Sequence, residues 1–139
     1  MTSTVKRIDP IASGAYDTSM KTVLLVEDND FIRKMYVLKL GKSSDFEVIE
    51  AADGASALEI LSKKKPDLML LDIMMPEMSG LEVLEHMEKS GINVPVIILS
   101  NVMSAETRTI AEKFGVKDYI IKSDLTPSQV LEKIQKNLS

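Results

Sequence analysis

Residues 66–80 read Pro-Asp-Leu-Met-Leu-Leu-Asp-Ile-Met-Met-Pro-Glu-Met-Ser-Gly, and this stretch combines three local signals. The apolar run at residues 68–71 has no polar alternation, which predicts a strand buried on both faces. Asp72 follows the run directly. Ser79 and Glu82 have the spacing of a capping box, which predicts that a helix begins beside Ser79. The stretch therefore predicts a buried strand, a loop that starts with an aspartate, and a helix.

The same succession recurs on both sides of this stretch. Apolar runs occur at residues 23–26, 46–49, 68–71, 94–99 and 119–121, and amphipathic segments separate them. Thr126 and Gln129 form a second capping box. Glycines follow three of the predicted helices, as left-handed caps do: Gly41, Gly91 and Gly115. Five strand–helix units predict the α/β class, with a doubly wound five-stranded parallel sheet.

Length and composition limit the classes of protein. The 139 residues fit one domain, and the net charge of -4 argues against a nucleic-acid partner. No apolar run reaches the roughly 18 residues of a membrane span, so no membrane partner is expected. The absence of cysteine excludes disulfides and favours a cytoplasmic location. Residues 1–19 show no periodicity and are predicted to be a flexible N-terminal tail or an extension, followed by the domain at residues 20–139.

Polar side chains follow most of the apolar runs. Ligands of open parallel sheets bind at the carboxyl ends of the strands, so these residues are the candidates for a site. The second run ends in Glu50-Ala51-Ala52 and offers fewer candidate site residues than the others. A single aspartate after a strand is more often a helix cap, but four of the five runs deliver such a residue to the same edge. They are Glu27 and Asp28, then Asp72, Ser100 and Lys122.

The chemistry of this set is specific. Three carboxylates at one edge repel each other unless a cation lies between them, and oxygen ligands suit Mg²⁺. An aspartate beside Mg²⁺ can attack a phosphoryl group and form an aspartyl phosphate. Lys122 and Ser100 can then offer a positive charge and a hydroxyl to the phosphoryl oxygens.

Residues 22–138 resemble the receiver domain of response regulators, and in particular the single-domain chemotaxis regulators. The motifs that carry the resemblance are Val-Leu-Leu-Val-Glu-Asp at residues 23–28, the stretch at residues 66–80, Pro-Val-Ile-Ile-Leu-Ser at 95–100 and Gly-Val-Lys-Asp-Tyr-Ile-Ile-Lys at 115–122. The resemblance implies a flavodoxin-like (βα)5 fold with strand order 2-1-3-4-5.

The resemblance also implies the role of each site residue. Asp72 would be the phosphoacceptor and Lys122 the phosphate-contacting lysine. Glu27, Asp28, Asp72 and the backbone carbonyl of Met74 would hold Mg²⁺.

The implied function is a phosphorylation-controlled switch that takes its phosphoryl group from a histidine kinase or phosphotransfer protein. Ser100 would be the switch hydroxyl and Tyr119 its aromatic partner. The signal would leave through a face formed by the fourth helix (about residues 104–114), the fifth strand and the fifth helix.

Beyond phosphoryl acceptance and slow autodephosphorylation, no enzyme activity is expected. The chain would be a monomer or a phosphorylation-dependent dimer, and its target is not identified by the sequence.

Two departures from the family pattern affect expectations. Ser123 follows the lysine where the family usually has a proline in a cis peptide, and we expect cis here too, so that Lys122 reaches the acidic pocket. Asn101 replaces a small residue and would restrict donor access or add a hydrogen bond. By resemblance, Met74 and Val102 flank the approach of the hydrolytic water. Both are apolar, so we expect a long-lived phosphorylated form.

Three other functions are weighed against the phosphorylation-controlled switch. A phosphatase of the haloacid dehalogenase type needs a second aspartate two positions after the nucleophile, where this chain has Met74. A flavodoxin-like FMN binder needs a Ser/Thr/Gly-rich loop after the first strand, and Glu27 and Asp28 would repel its phosphate. A degenerate receiver that binds partners without phosphorylation stays open as the alternative.

Overall fold

Five strands alternate with five helices in the computed structural model, which describes residues 20–101 and 103–138. The predictions made for residues 1–19 and for Val102 lie outside the described residues. The strands are β1 (Lys21–Val26), β2 (Phe46–Ala51), β3 (Leu68–Leu71), β4 (Val96–Ser100) and β5 (Asp118–Ile121). The helices are α1 (Asp30–Leu40), α2 (Gly54–Lys63), α3 (Gly80–Ser90), α4 (Ala105–Lys113) and α5 (Pro127–Leu138).

The strands form one parallel sheet in the order β2-β1-β3-β4-β5, which confirms the predicted fold. The register brings the strand ends together. Val26 at the end of β1 pairs with Ala51 of β2 and with Leu71 of β3, and Leu71 pairs with Ile98. The residues that follow β1 and β3 therefore emerge side by side at the carboxyl edge of the sheet.

Alternate side chains of the strands enter two apolar layers, as expected for strands buried on both faces. One layer packs mainly against α2 and α3 and includes Leu24, Met69, Leu71, Ala57 and Val83. The other packs against α1 and α5 and includes Leu25, Leu70, Leu99, Tyr36 and Ile134. Fully burying one such side chain stabilises the fold by about 1.5–3 kcal/mol, so these layers hold the carboxyl edge in place.

The helix ends follow the sequence signals with one exception. The capping boxes of Ser79 with Glu82 and of Thr126 with Gln129 are both formed. Gly91 and Gly115 have positive φ angles of 71° and 74°, as predicted. Gly41 was predicted to be left-handed, and this is wrong. Its φ is -67° because the chain continues past α1 in right-handed turns, in which the Gly41 N–H donates to the Val37 carbonyl and the Ser43 N–H to the Leu40 carbonyl.

No helix among residues 20–101 and 103–138 has the length and apolar character needed to span a membrane.

Candidate functional site

Three carboxylates converge at the carboxyl edge of the sheet. Glu27 and Asp28 follow β1 and Asp72 follows β3, and one oxygen from each lies within 4.8 Å of the other two. Glu27 and Asp72 are only 1% and 3% exposed, whereas Asp28 is half-buried. The structure therefore places the three predicted metal ligands together, with Asp28 closest to solvent.

Lys122 lies between two of these carboxylates. Its ammonium group donates a hydrogen bond to Glu27 Oε1 and another to Asp72 Oδ2 at 3.2 Å. Its side chain is 8% exposed, so the pair of contacts is screened little by water. When all four groups are ionised, three carboxylates and one ammonium leave two negative charges. A divalent cation with a preference for oxygen ligands, such as Mg²⁺, fits that charge and that donor set.

Burial raises the pKa of the Asp72 carboxyl to about 6, and the negative charge of Glu27 adds to this. The positive charge of Lys122 and the hydrogen bonds from Lys122 and Met74 act in the opposite direction but do not cancel it. Burial lowers the pKa of Lys122, but its hydrogen bond to Glu27 and the charge of Asp72 outweigh burial and raise it. At neutral pH the pocket therefore holds an ammonium beside an Asp72 carboxylate that is mostly ionised.

The loop after Asp72 folds back tightly on the aspartate. The Met74 N–H donates to Asp72 Oδ1 at 3.1 Å, and the Gly80 N–H donates to the Ile73 carbonyl at 3.0 Å. A Cβ at Gly80 would lie 2.3 Å from the Asp72 carbonyl oxygen, so only glycine fits there. The Met74 side chain is 68% exposed. This loop orients one carboxylate oxygen of Asp72, and the Met74 carbonyl as a metal ligand stays a prediction.

Ser100 ends β4 next to this pocket. Ser100 is fully buried, and its hydroxyl is a buried side-chain oxygen that has no hydrogen-bond partner among the described residues. The Ser100 carbonyl accepts the Lys122 N–H at 2.7 Å, which joins the end of β4 to the residue whose ammonium group lies in the pocket. A buried hydroxyl without a partner is unfavourable, so this oxygen is available to a group that enters the pocket.

Tyr119 lies on β5 and contacts α4. The Arg108 guanidinium lies 4.3 Å from the centre of its ring, and the Tyr119 hydroxyl donates to the Arg108 carbonyl at 3.4 Å. Burial and the charge of Glu112 raise the pKa of this hydroxyl, although Arg108 opposes them, so it stays protonated. The predicted switch tyrosine is therefore held against α4.

The expectation of a cis peptide between Lys122 and Ser123 is wrong. No cis bond occurs among the described residues. A trans bond avoids the roughly 2.5–4 kcal/mol that a cis bond to a non-proline residue costs, and Lys122 reaches Glu27 and Asp72 without it. Asn101, the other departure, is exposed.

Sequence reasoning missed Arg33 and gave little weight to Glu50. Arg33 is 8% exposed and donates to the Glu27 carbonyl at 2.9 Å, to Glu50 Oε1 at 3.0 Å and to Asp30 Oδ1 at 2.6 Å. The spacing of Asp30 and Arg33 on a helix was a visible signal for one of these bonds. The contact with Glu50 depends on the position of α1 over the sheet, which the sequence does not show.

Comparisons with known proteins agree with this geometry. The family model described as the response regulator receiver domain matches residues 23–135. The chain is 38% identical over 118 residues to the chemotaxis protein CheY of Listeria monocytogenes, covering 84% of this chain and 98% of that protein. It is 37% identical to the Regulator of RpoS of Escherichia coli over 73% of this chain, but it spans only 30% of that longer protein.

A solved structure has the same architecture. It is the CheY-like receiver domain protein of Methanospirillum hungatei, which has a TM-score of 0.78 and 30% identity over 86% of this chain and 94% of that one. The Vibrio cholerae chemotaxis protein CheY4 has a TM-score of 0.77 and 29% identity over 86% of this chain and 99% of that one.

Proposed function

Since the chain belongs to the response regulator receiver domain family, we propose that it is a signalling switch that accepts a phosphoryl group on Asp72. The donor is the phosphohistidine of a histidine kinase or phosphotransfer protein, and Mg²⁺ is the cofactor. The observation that carries the proposal is the buried Asp72 carboxylate, which is hydrogen-bonded to the Lys122 ammonium and lies beside two further carboxylates.

The pocket residues have distinct parts in the transfer. A carboxylate oxygen of Asp72 forms the new bond to phosphorus as the bond from phosphorus to the histidine nitrogen breaks, and the bonding electrons leave with the imidazole. Lys122 offers its positive charge to the phosphoryl oxygens, and the Met74 N–H holds the Asp72 carboxylate in orientation. Positioning and charge supply most of the catalysis in such transfers. Mg²⁺, when held by Glu27, Asp28 and Asp72, supplies the remaining positive charge.

A protein donor fits the surface beside the pocket. Phe31 and Leu38 on α1 are 79% and 71% exposed, and α1 begins two residues after Asp28. Met35, which is also exposed, lies between them at helical spacing, and a contiguous exposed apolar patch typically marks contact with another protein. They support a donor that docks on α1 and brings its phosphohistidine to Asp72.

The phosphoryl group would then change the switch face, which we define as α4, β5 and α5. The Ser100 hydroxyl, which has no hydrogen-bond partner within residues 20–101 and 103–138, would donate to a phosphoryl oxygen. This movement vacates space that Tyr119 can enter when it leaves Arg108. Phosphorylation thereby shifts a two-state equilibrium of the switch face, which the downstream target reads.

Acetyl phosphate with Mg²⁺ tests the proposal directly. Intact mass measurement should show a gain of about 80 Da, one phosphoryl group, on the unmodified protein and no gain on Asp72→Asn. Asp67→Asn is the matched control, because Asp67 lies just before β3 and accepts the Thr22 N–H at 2.8 Å, away from the pocket. It should gain the same mass as the unmodified protein. No gain on the unmodified protein would favour the degenerate receiver instead.

A further inference from the structure

Arg33 joins three separate segments at the edge of the acidic pocket. Its guanidinium group donates to the Glu27 carbonyl in the loop after β1, to the Glu50 carboxylate on β2 and to Asp30 in the first turn of α1. Its side chain is 10% exposed. Nothing in the transfer described above uses this residue. A buried guanidinium that makes three directional bonds orders the backbone it contacts.

We propose that Arg33 is a positioning residue that orders the β1–α1 loop so that Asp28 can hold Mg²⁺; this rests on the function proposed above. The loop consists of residues 27–29, and Asp28 is its middle residue. The Arg33 guanidinium holds the Glu27 carbonyl at one end of the loop. At the other end, the backbone N–H of Arg33 donates to the Asn29 carbonyl at 2.8 Å.

The loop residues on either side of Asp28 make hydrogen bonds of their own, so the position of Asp28 depends on theirs. The Asn29 N–H donates to Glu27 Oε2 at 3.1 Å, and the Asn29 side chain caps α1 by accepting the Ile32 N–H at 2.9 Å. Both neighbours of Asp28 are therefore held, and the Asp28 side chain is placed by them. Groups that orient a metal ligand in this way typically change metal affinity by 10–100-fold.

A purely electrostatic role for Arg33 makes the opposite prediction. A positive charge near the pocket repels Mg²⁺, so removal of the charge would tighten metal binding. Removal of an ordering contact would weaken binding. Arg33→Lys separates the two effects further, because lysine keeps the charge but a single ammonium cannot reproduce the planar fork of guanidinium.

The test is a titration with Mg²⁺ alone, followed by amide NMR shifts of the folded protein. We expect apparent Kd values about tenfold weaker for both Arg33→Lys and Arg33→Gln. Lys63→Gln, which removes an exposed cation from the last turn of α2, should bind like the unmodified protein. Phosphoryl acceptance by Arg33→Lys should recover when Mg²⁺ is saturating, because the lost quantity is affinity and not reactivity.

A second variant guards against loss of the fold in the Arg33 variants. Glu50→Ala removes only the anchor on β2 and leaves α1 intact, and we expect a loss of Mg²⁺ affinity that is smaller than the roughly tenfold loss in Arg33→Lys. Unchanged affinity in Arg33→Lys and Glu50→Ala, or tighter binding in Arg33→Gln, would overturn the role of Arg33. Failure of the unmodified protein to bind Mg²⁺ or to gain the phosphoryl mass would instead overturn the proposed function.

Discussion

The acidic pocket and the switch face are held together by interactions of very different strength. In the pocket, the side chains of Glu27, Asp72 and Lys122 are almost fully buried, and the Lys122 ammonium donates to both carboxylates. On the switch face, Tyr119 is half-buried, the Arg108 side chain that covers its ring is exposed, and their hydrogen bond is 3.4 Å long. The pocket is built to keep its geometry, whereas the switch face can change its contacts at little cost in free energy.

This difference follows from where the two regions lie in the sheet. The pocket carboxylates follow β1 and β3, each of which has four buried apolar side chains that hold the carboxyl edge rigidly. Lys122 follows β5, but its ion pairs with Glu27 and Asp72 hold it in the pocket. Within the switch face, β5 lies at the edge of the sheet and buries only Ile120, and α4 buries only Ala111, whereas α5 is anchored by Val130 and Ile134. The weakly held elements of the switch face are therefore β5 and α4. Elements with little buried apolar area are those that move at the lowest free-energy cost.

The largest effect is expected from removal of the pocket cation. Lys122→Met leaves two buried carboxylates facing each other and removes the charge offered to the phosphoryl oxygens. We expect phosphoryl acceptance from acetyl phosphate to slow by about 100-fold, measured as the initial rate of mass gain.

Lys133→Met is the matched control for this substitution. Lys133 of α5 forms an ion pair of 2.8 Å with Asp118 of β5 on the switch face, where both side chains are about one-third exposed. An exposed pair of this kind contributes little, so the rate should not change. Equal losses in the two variants would contradict the contrast between the regions.

A tenfold effect is expected from Met74 and Val102, if they flank the approach of water as the family resemblance implies. Met74 is exposed beside Asp72 and does not pack into the core, so its side chain is free to cover the phosphoryl group. Replacing Met74 with Asn and Val102 with Glu should speed dephosphorylation by roughly tenfold, equivalent to about 1.4 kcal/mol of barrier. The measurement is loss of phosphoprotein after removal of the donor in excess Mg²⁺. Met35→Asn, on α1, is the control, and equal rates in all three proteins would show that Met74 and Val102 do not control water access.

The fold and the membership of the pocket could be predicted from the sequence because both depend on local patterns. Buried runs such as residues 68–71 define the strands, and parallel strands bring Asp72 and Lys122 to one edge whatever the side-chain details. The role of Arg33, the trans bond at Ser123 and the contact of Tyr119 with Arg108 were not predicted. They depend on how helices and loops lie over the sheet, which no local pattern encodes.

A smaller effect is expected on stability, from the burial of the Asp72 carboxylate. Its pKa is raised from 3.8 to about 6, so the folded state binds the proton more tightly than the unfolded state. Stability from this group is therefore present at low pH and is lost as the pH rises through about 6. In Mg²⁺-free buffer, Asp72→Asn should have a Tm about 4 °C higher than the unmodified protein at pH 8. The difference should vanish near pH 4, and a difference that does not vary with pH would contradict this account.

The smallest effect is expected on the switch face itself. Arg108→Gln removes the guanidinium from the Tyr119 ring but leaves the Arg108 backbone carbonyl that accepts the tyrosine hydroxyl. A cation–π contact at an exposed site contributes about 0.5–1 kcal/mol, which corresponds to a roughly two- to fivefold change in a population. Amide and ring NMR shifts of Tyr119 in the unphosphorylated variant should therefore move part of the way toward those of the phosphorylated protein. The rate of phosphoryl acceptance should stay the same, because Arg108 does not contact the pocket.

Ser100→Ala tests the link between the two regions from the pocket side. Once phosphorylated, it should show smaller shift changes at Tyr119, since the hydroxyl that links the pocket to the switch face is missing. If Arg108→Gln left the Tyr119 shifts unchanged, or slowed phosphorylation as Lys122→Met does, the switch face would not be the weakly held region that its contacts indicate.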